Sequence, residues 1–128
     1  MPKAGTPEDV SRLIADALNA GDLEAALALF EPGATLVMPS AVGGGSVTGV
    51  AALREALGGF ISIGPTLAVK PEKTLLSGDT ALLVGIWTLT GRAPDGRDVD
   101  IAGRHADVVR RQPDGSWLFV IDNPDGTA

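Results

Sequence analysis

The chain has 128 residues, 45% hydrophobic and 20% charged, the balance of a single globular domain, residues 1–128, able to build its own core. With 10 Lys and Arg against 16 Asp and Glu the net charge is −6, and the one basic cluster, Arg104, Arg110 and Arg111, is interleaved with acids. That excludes a nucleic-acid footprint and attraction to anionic membranes, and the absence of cysteine excludes disulfides and thiolate chemistry. The opening MPKAGTPEDV has no apolar core, so no signal peptide is expected. No apolar run approaches the ~20 residues of a membrane span, and a cytoplasmic location is expected. Residues 1–5 and 125–128 are expected to be flexible ends.

Thr6-Pro7-Glu8-Asp9 opens a helix: Thr6 suits the N-cap, Pro7 the first helical position, and the two acids the positive end of the helix dipole. Val10, Leu13, Ile14, Ala17 and Leu18 follow at helical spacing, and Asn19-Ala20-Gly21 ends the element. Asp22 caps a second helix predicted from Leu23 to Phe30, broken by Glu31-Pro32-Gly33. Ala34 to Met38 predicts a short strand stopped by Pro39. Ser40 to Thr48, centred on Gly43-Gly44-Gly45, has no GK[ST] ending and is not a phosphate loop. It reads as a connector or as a flap over a pocket mouth. Val50 to Phe60 predicts a third helix.

From Thr66 onward strands and turns alternate. Thr66 to Leu76 contains Pro71, which argues for an edge position or a bulge. Thr80 to Gly91 is apolar on both parities, as in a strand buried on both faces. Val99 to Arg111 and Trp117 to Asp122 complete four antiparallel strands, joined by Ser77-Gly78-Asp79 and by two Pro-Asp-Gly turns. The fold class is α+β: three N-terminal helices on one face of a curved, mainly antiparallel sheet.

The strand from Val99 carries the functional argument. Alternation puts Ile101, Gly103, His105, Asp107 and Val109 on one face, and Asp98, Asp100, Arg104 and Arg110 on the other, wet face. The inward face therefore bears the only histidine of the chain and an aspartate two residues on. Pro-Asp-Gly favours a three-residue hairpin loop, so Ala93 opposes Arg97. Leu89 then opposes Ile101, Trp87 opposes Gly103, Gly85 opposes His105 and Leu83 opposes Asp107. Gly85 leaves room beside the imidazole, and the result is a cavity with an apolar wall and a His/Asp pair. The same rule for the last hairpin pairs Gln112 with Ser116, turning Asn123 inward and Asp122 outward. A slip of one residue reverses the two, and both stay open.

His105 and Asp107 have Cα atoms ~6.5–7 Å apart, a gap that side chains close. A carboxylate beside the imidazole raises its pKa and fixes its tautomer, as a general base or acid requires. The same pair also serves as a structural contact that satisfies two buried groups. One histidine with scattered carboxylates is not a transition-metal ligand set, and no metal or cofactor is expected. Trp87 and Trp117 read as packing residues. Leu82, Val84, Ile86, Ala102, Ala106 and Val108 share the opposite face, and an apolar patch of that extent marks an interface.

The order of elements resembles the cone-shaped fold of nuclear transport factor two, shared by ketosteroid isomerases and SnoaL-like polyketide cyclases. ALNAGDLEAALALFEPGATLVMP, the helix start Gly49-Val50-Ala51-Ala52-Leu53-Arg54 and the ending DVVRRQPDGSWLFVIDNP are similar to the SgcJ/EcaC-type subgroup, over roughly Thr6 to Pro124. The resemblance implies a cone-shaped α+β barrel, a pocket for a small hydrophobic ligand, and a homodimer through the outer sheet face. Isomerases of this fold place their proton-shuttling aspartate before the proline after the first strand; Met38 stands there. They also use a tyrosine and a protonated aspartate; the chain has no tyrosine, and Asp107 resembles the aspartate. SnoaL-type cyclases imply catalytic roles for His105, Asp107 and Asp122. Limonene epoxide hydrolases use an Asp-Arg-Asp set, for which Arg104 has the wrong parity. Met38, Leu83, Trp87, Leu89, Ile101 and Asn123 are the expected ligand contacts. Two functions follow: proton transfer on an apolar carbonyl-type substrate, in the isomerase, cyclase or hydratase class, or non-catalytic holding of a hydrophobic metabolite. An assembly module with a vestigial pocket is the third.

Overall fold

The computed structural model describes residues 2–126. Helix α1 spans Pro7–Asn19, with the Thr6 hydroxyl accepting from the Asp9 amide at 3.3 Å and Pro7 in the first turn, as its sequence dictates. Its buried stripe includes Val10, Leu13, Ile14, Ala17 and Leu18, and also Ser11, which the apolar pattern does not reveal. At its C-terminus the Asn19 side chain donates to the Leu67 carbonyl (3.0 Å) and accepts from the Leu67 amide (2.6 Å). Asn19 thus takes the place of a neighbouring strand and fixes α1 over the sheet.

Asp22 caps α2 (Leu23–Leu27), accepting from the Ala25 amide at 3.0 Å. This helix ends before Phe30, short of its predicted limit, and strand β1 (Phe30–Val37) starts there. Glu31-Pro32-Gly33 therefore lies inside a strand. Proline is tolerated because β1 shifts register against its neighbour between Phe30 and Thr35, leaving these residues outside the ladder. Phe30 stays buried, its ring centroid 4.8 Å from that of Phe119.

The segment after Pro39 is more ordered than a plain connector. A 3₁₀ turn covers Ser40–Val42, and β2 (Ser46–Thr48) pairs antiparallel with β1, Thr35 opposite Thr48. The three glycines between them all have positive φ. Helix α3 (Val50–Ile61) buries Leu53 and Leu57. Strands β3 (Thr66–Ser77), β4 (Thr80–Arg92), β5 (Asp98–Arg111) and β6 (Trp117–Asp122) form the long meander.

One six-stranded sheet results, ordered β2-β1-β6-β5-β4-β3, antiparallel except where β1 runs parallel to β6. The fold is the expected α+β cone: three helices on one face of a curved, mostly antiparallel sheet, with β2 as an edge strand beyond the expected set. Pro71 satisfies both of its readings, since β3 is an edge and bulges between Pro71 and Lys73. The two ends are anchored at particular residues. Ala4 is buried and its carbonyl accepts from the Trp117 amide at 3.0 Å, while the Asp125 carboxylate accepts from the Ser40 amide at 3.1 Å. Met1, Thr127 and Ala128 lie outside the described residues. No described helix is long and apolar enough to cross a membrane.

Candidate functional site

The β4–β5 hairpin delivers the polar residues. Ala93 N–H donates to the Arg97 carbonyl at 2.8 Å, and Gly96 takes the left-handed conformation that a three-residue loop needs (φ 90°). From that turn the register runs unbroken: Leu89 opposite Ile101, Trp87 opposite Gly103, Gly85 opposite His105, Leu83 opposite Asp107. The predicted alternation holds, and His105 and Asp107 are both buried on the helix side, side chains 5% exposed.

Gly85 is where the site closes in. A Cβ there would run into the Lys70 carbonyl oxygen at the β3 bulge, and would lie 2.6 Å from His105 Nε2. The imidazole therefore lies across a residue that must lack a side chain. His105 Nδ1 is 2.8 Å from Asp107 Oδ2, yet neither ring nitrogen makes a hydrogen bond. At that distance the failure is one of angle, so the pair is a close polar contact rather than an aligned hydrogen bond. Two buried donor/acceptor atoms are left for something else to satisfy.

The β5–β6 hairpin starts from the same kind of turn, with Gln112 N–H donating to the Ser116 carbonyl at 2.7 Å and Gly115 at φ 85°. Arg111 pairs with Trp117 and Val109 with Phe119, but Val108 then pairs with Ile121. Val120 is the extra residue of a β-bulge. Beyond it the unbroken count, which turned Asn123 inward, fails: the Asn123 carbonyl accepts from the Ala106 amide at 2.9 Å. Asp122 thereby lands beside Asp107 and faces the cavity. Asn123 contributes through its backbone N–H, which donates to Asp107 Oδ1 at 2.8 Å, while its side chain bonds the Gly126 carbonyl.

Burial above all, then the Asp107 charge and a hydrogen bond with the Asp107 carboxylate, pushes the Asp122 carboxyl well above the ordinary carboxylate range. Asp122 is half-buried, on β6 between β1 and β5 and in the wall of the cavity. The raised carboxyl makes Asp122 the member of the two that favours keeping a proton, beside an Asp107 that accepts from Asn123 N–H.

The cavity above these groups is apolar elsewhere. Ser11, Ile14 and Leu18 of α1 and Leu57 and Phe60 of α3 form the roof; Leu67, Val69, Trp87 and Leu89 form the sheet side. It offers about 90 Å³ to the centre of a water molecule. One water needs roughly 10–15 Å³ by that measure, so the space suits a small organic group. Trp87 is a wall residue fixed by its indole N–H to the Pro124 carbonyl (2.8 Å), and its ring fills the space left by Gly103, where a Cβ would lie 3.0 Å from Cζ2. Trp117 belongs to the core.

Of the expected contacts, Trp87 and Leu89 line the cavity with His105, Asp107 and Asp122. Leu83 is buried in the core next to it, Ile101 is a half-buried residue outside its lining, and Met38 lines a second, outer groove. Ser11 was missed. Its signal was positional: 11, 14 and 18 make one helical stripe, so a serine there points where Ile14 and Leu18 point. Among the described residues no group of three or more His, Asp or Glu is placed to hold a metal ion.

Residues 10–120 match the SnoaL-like domain family. The chain belongs to that family. A comparison with curated proteins finds no match. Among solved structures it is similar to a candidate aromatic ring hydroxylase from Novosphingobium aromaticivorans (TM-score 0.80, 26% identity, 94% of this chain and 86% of that one covered). A ketosteroid isomerase-like protein from Erwinia carotovora atroseptica superposes with TM-score 0.77 at 21% identity, covering 90% and 88%. A candidate dehydratase of the NTF2-like family from Streptomyces avermitilis gives 0.73 at 18%, covering 90% and 89%. These likenesses establish the NTF2-like cone; the chemistry has to come from the site.

Proposed function

We propose that this SnoaL-like protein is a small-molecule enzyme that moves a proton beside a carbonyl in an apolar substrate, a reaction of the isomerase, cyclase or hydratase class. The carrying observation is an acid–carboxylate pair, Asp122 and Asp107, beside a histidine whose ring nitrogens have no partner, all facing an apolar cavity. A protonated Asp122 is a hydrogen-bond donor for the carbonyl oxygen. His105, with Asp107 against Nδ1, accepts a proton from the adjacent carbon through Nε2. The C–H electron pair becomes the enol double bond, and the carbonyl π pair moves to the oxygen held by Asp122. In a β,γ-unsaturated ketone the electrons flow back from the oxygen, the carbonyl reforms, and the γ carbon takes the proton from His105, which completes an isomerisation.

The test is exchange of α-hydrogens for deuterium in a panel of enolisable ketones, followed by proton NMR in D₂O. Wild type should accelerate exchange for at least one member, and Asp122→Asn and His105→Ala should each lower that rate by about 10²-fold or more. Exchange at the buffer rate across the panel would contradict the reading. One observation favours the second reading, a protein that holds a hydrophobic metabolite without turnover: Met38 occupies the place where isomerases of this fold have their aspartate, and it lines the outer groove. Ligand bound in that case survives unchanged.

We also propose that a second copy covers the outer sheet face. Leu82, Val84, Ile86 and Val108 are only half buried there, and Leu75 and Ile121 are 48% and 38% exposed. Sedimentation equilibrium should give twice the chain mass, and Val84→Glu should return the mass to one chain; a wild-type monomer would overturn this.

A further inference from the structure

We infer that the substrate is an elongated neutral molecule, with its oxygen function in the inner cavity and an apolar chain or ring running out along a second groove between α3 and the end of the β4–β5 hairpin. This rests on the carbonyl reading of the inner site. The outer groove lies beyond Phe60 and Leu89, and those two side chains line both spaces, so they are the partition between them. It offers about 500 Å³ against about 90 Å³ in the inner cavity, so most of the room for a ligand lies outside the partition.

Its lining is apolar, with Met38, Val42, Val47, Ala56 and Val99 prominent, and Glu55 is its one charged residue. A carboxylate on the tail would meet Glu55, and one at the inner end would meet Asp107. Both ends therefore reject an anion, and the apolar lining of the two spaces favours an uncharged chain. Val42, apolar, remains 46% exposed at the rim.

The partition sits on a weakened element. Gly58 and Gly59 immediately precede Phe60 in the last turn of α3, and a Cβ on either would meet nothing within 4 Å. Packing does not demand glycine at these positions, and glycine is the poorest helix former after proline. The turn that carries Phe60 is thus easier to open than the rest of α3, which lets the ring swing aside for a chain passing between the two spaces.

The experiment is calorimetric binding of straight-chain 2-alkanones, from 2-butanone to 2-nonanone, to the full chain. Affinity should rise about threefold per added methylene once the chain outgrows the inner cavity. Gly59→Leu, whose side chain enters open space and favours the helix, fills the groove. It should weaken 2-nonanone by about tenfold while leaving 2-butanone within about twofold. Ala56→Leu should act in the same direction. His105→Ala should weaken short and long ketones alike. If Gly59→Leu and Ala56→Leu both bind 2-nonanone as wild type does, the groove is not the tail site, and the inner reading stands. If His105→Ala binds the whole series unchanged, the carbonyl reading fails, and the inference with it. Absence of binding by every ketone overturns both.

Discussion

The two Pro-Asp-Gly hairpins begin alike and end differently. Both close with the same pair of hydrogen bonds around a left-handed glycine, Ala93 to Arg97 in one and Gln112 to Ser116 in the other. The first keeps register from Arg92–Asp98 to Thr80–Arg110. The second slips after Val109–Phe119. Turn chemistry sets the first pair, and steady alternation carries it along the strand only while no residue is added. The added residue, Val120, decides whether Asp122 or Asn123 faces the cavity. The unbroken hairpin supplies His105 and Asp107, and the broken one supplies Asp122.

The largest expected effect lies on the unbroken hairpin. Gly85→Ala places a Cβ against the Lys70 carbonyl and 2.6 Å from His105 Nε2, so strands or imidazole must shift. A loss of about 1–3 kcal/mol in denaturant unfolding is expected, together with loss of the proton-transfer activity. Unchanged stability would mean that His105 does not lie across this residue.

On the broken hairpin, Asp122→Asn probes the acid. Its carboxyl is raised in the folded protein. Between the ordinary aspartate value of ~3.9 and the raised one, the native state therefore holds a proton that the unfolded chain has lost. The contribution of Asp122 to stability then falls as pH rises through that window, by at most about 1.4 kcal/mol per pH unit. The Asn variant lacks this loss, so unfolding curves across pH should show wild type falling relative to it. Parallel curves would place Asp122 in solvent.

The slip itself is open to cross-linking. Val108→Cys with Ile121→Cys should form a disulfide on oxidation, because these residues are directly opposed, whereas Val108→Cys with Val120→Cys should form it poorly. The reverse order would restore the unbroken register. The smallest contrast is between the two turns. The Asp114 carboxylate accepts from the Ser116 amide and hydroxyl and from Lys3, whereas Asp95 serves only Arg97. Asp114→Ala should lower Tm more than Asp95→Ala, since Ser116 is buried.

Legibility follows the same line. Helix α1 was readable because Thr6, Pro7 and the spacing of Val10 to Leu18 all act locally. The β4–β5 register was readable because one turn motif and period-two alternation suffice. Three things were not. Phe30 begins β1 despite Glu31-Pro32-Gly33, because β6 accepts a strand with residues left out of the ladder. β2 hides behind three glycines and exists only through its pairing with Thr35 to Val37. The Val120 bulge depends on β1 and β5 at once, and no motif within β6 announces it. The polar site was half legible for that reason: His105 and Asp107 followed from parity, Asp122 only from the bulge, and Ser11 only from a helical stripe that a polarity scan skips.

The proposed chemistry depends on Asp122 being an acid raised above the ordinary carboxylate range beside Asp107. Carbon-detected NMR titration of the aspartate carboxyls, with Asp122→Asn to assign the signal, tests it most directly. One carboxyl should stay protonated well above the ordinary aspartate range and vanish from the spectrum of the variant. If the Asp122 carboxyl titrates in the ordinary aspartate range, it is not held as an acid, and the proposed chemistry loses its donor.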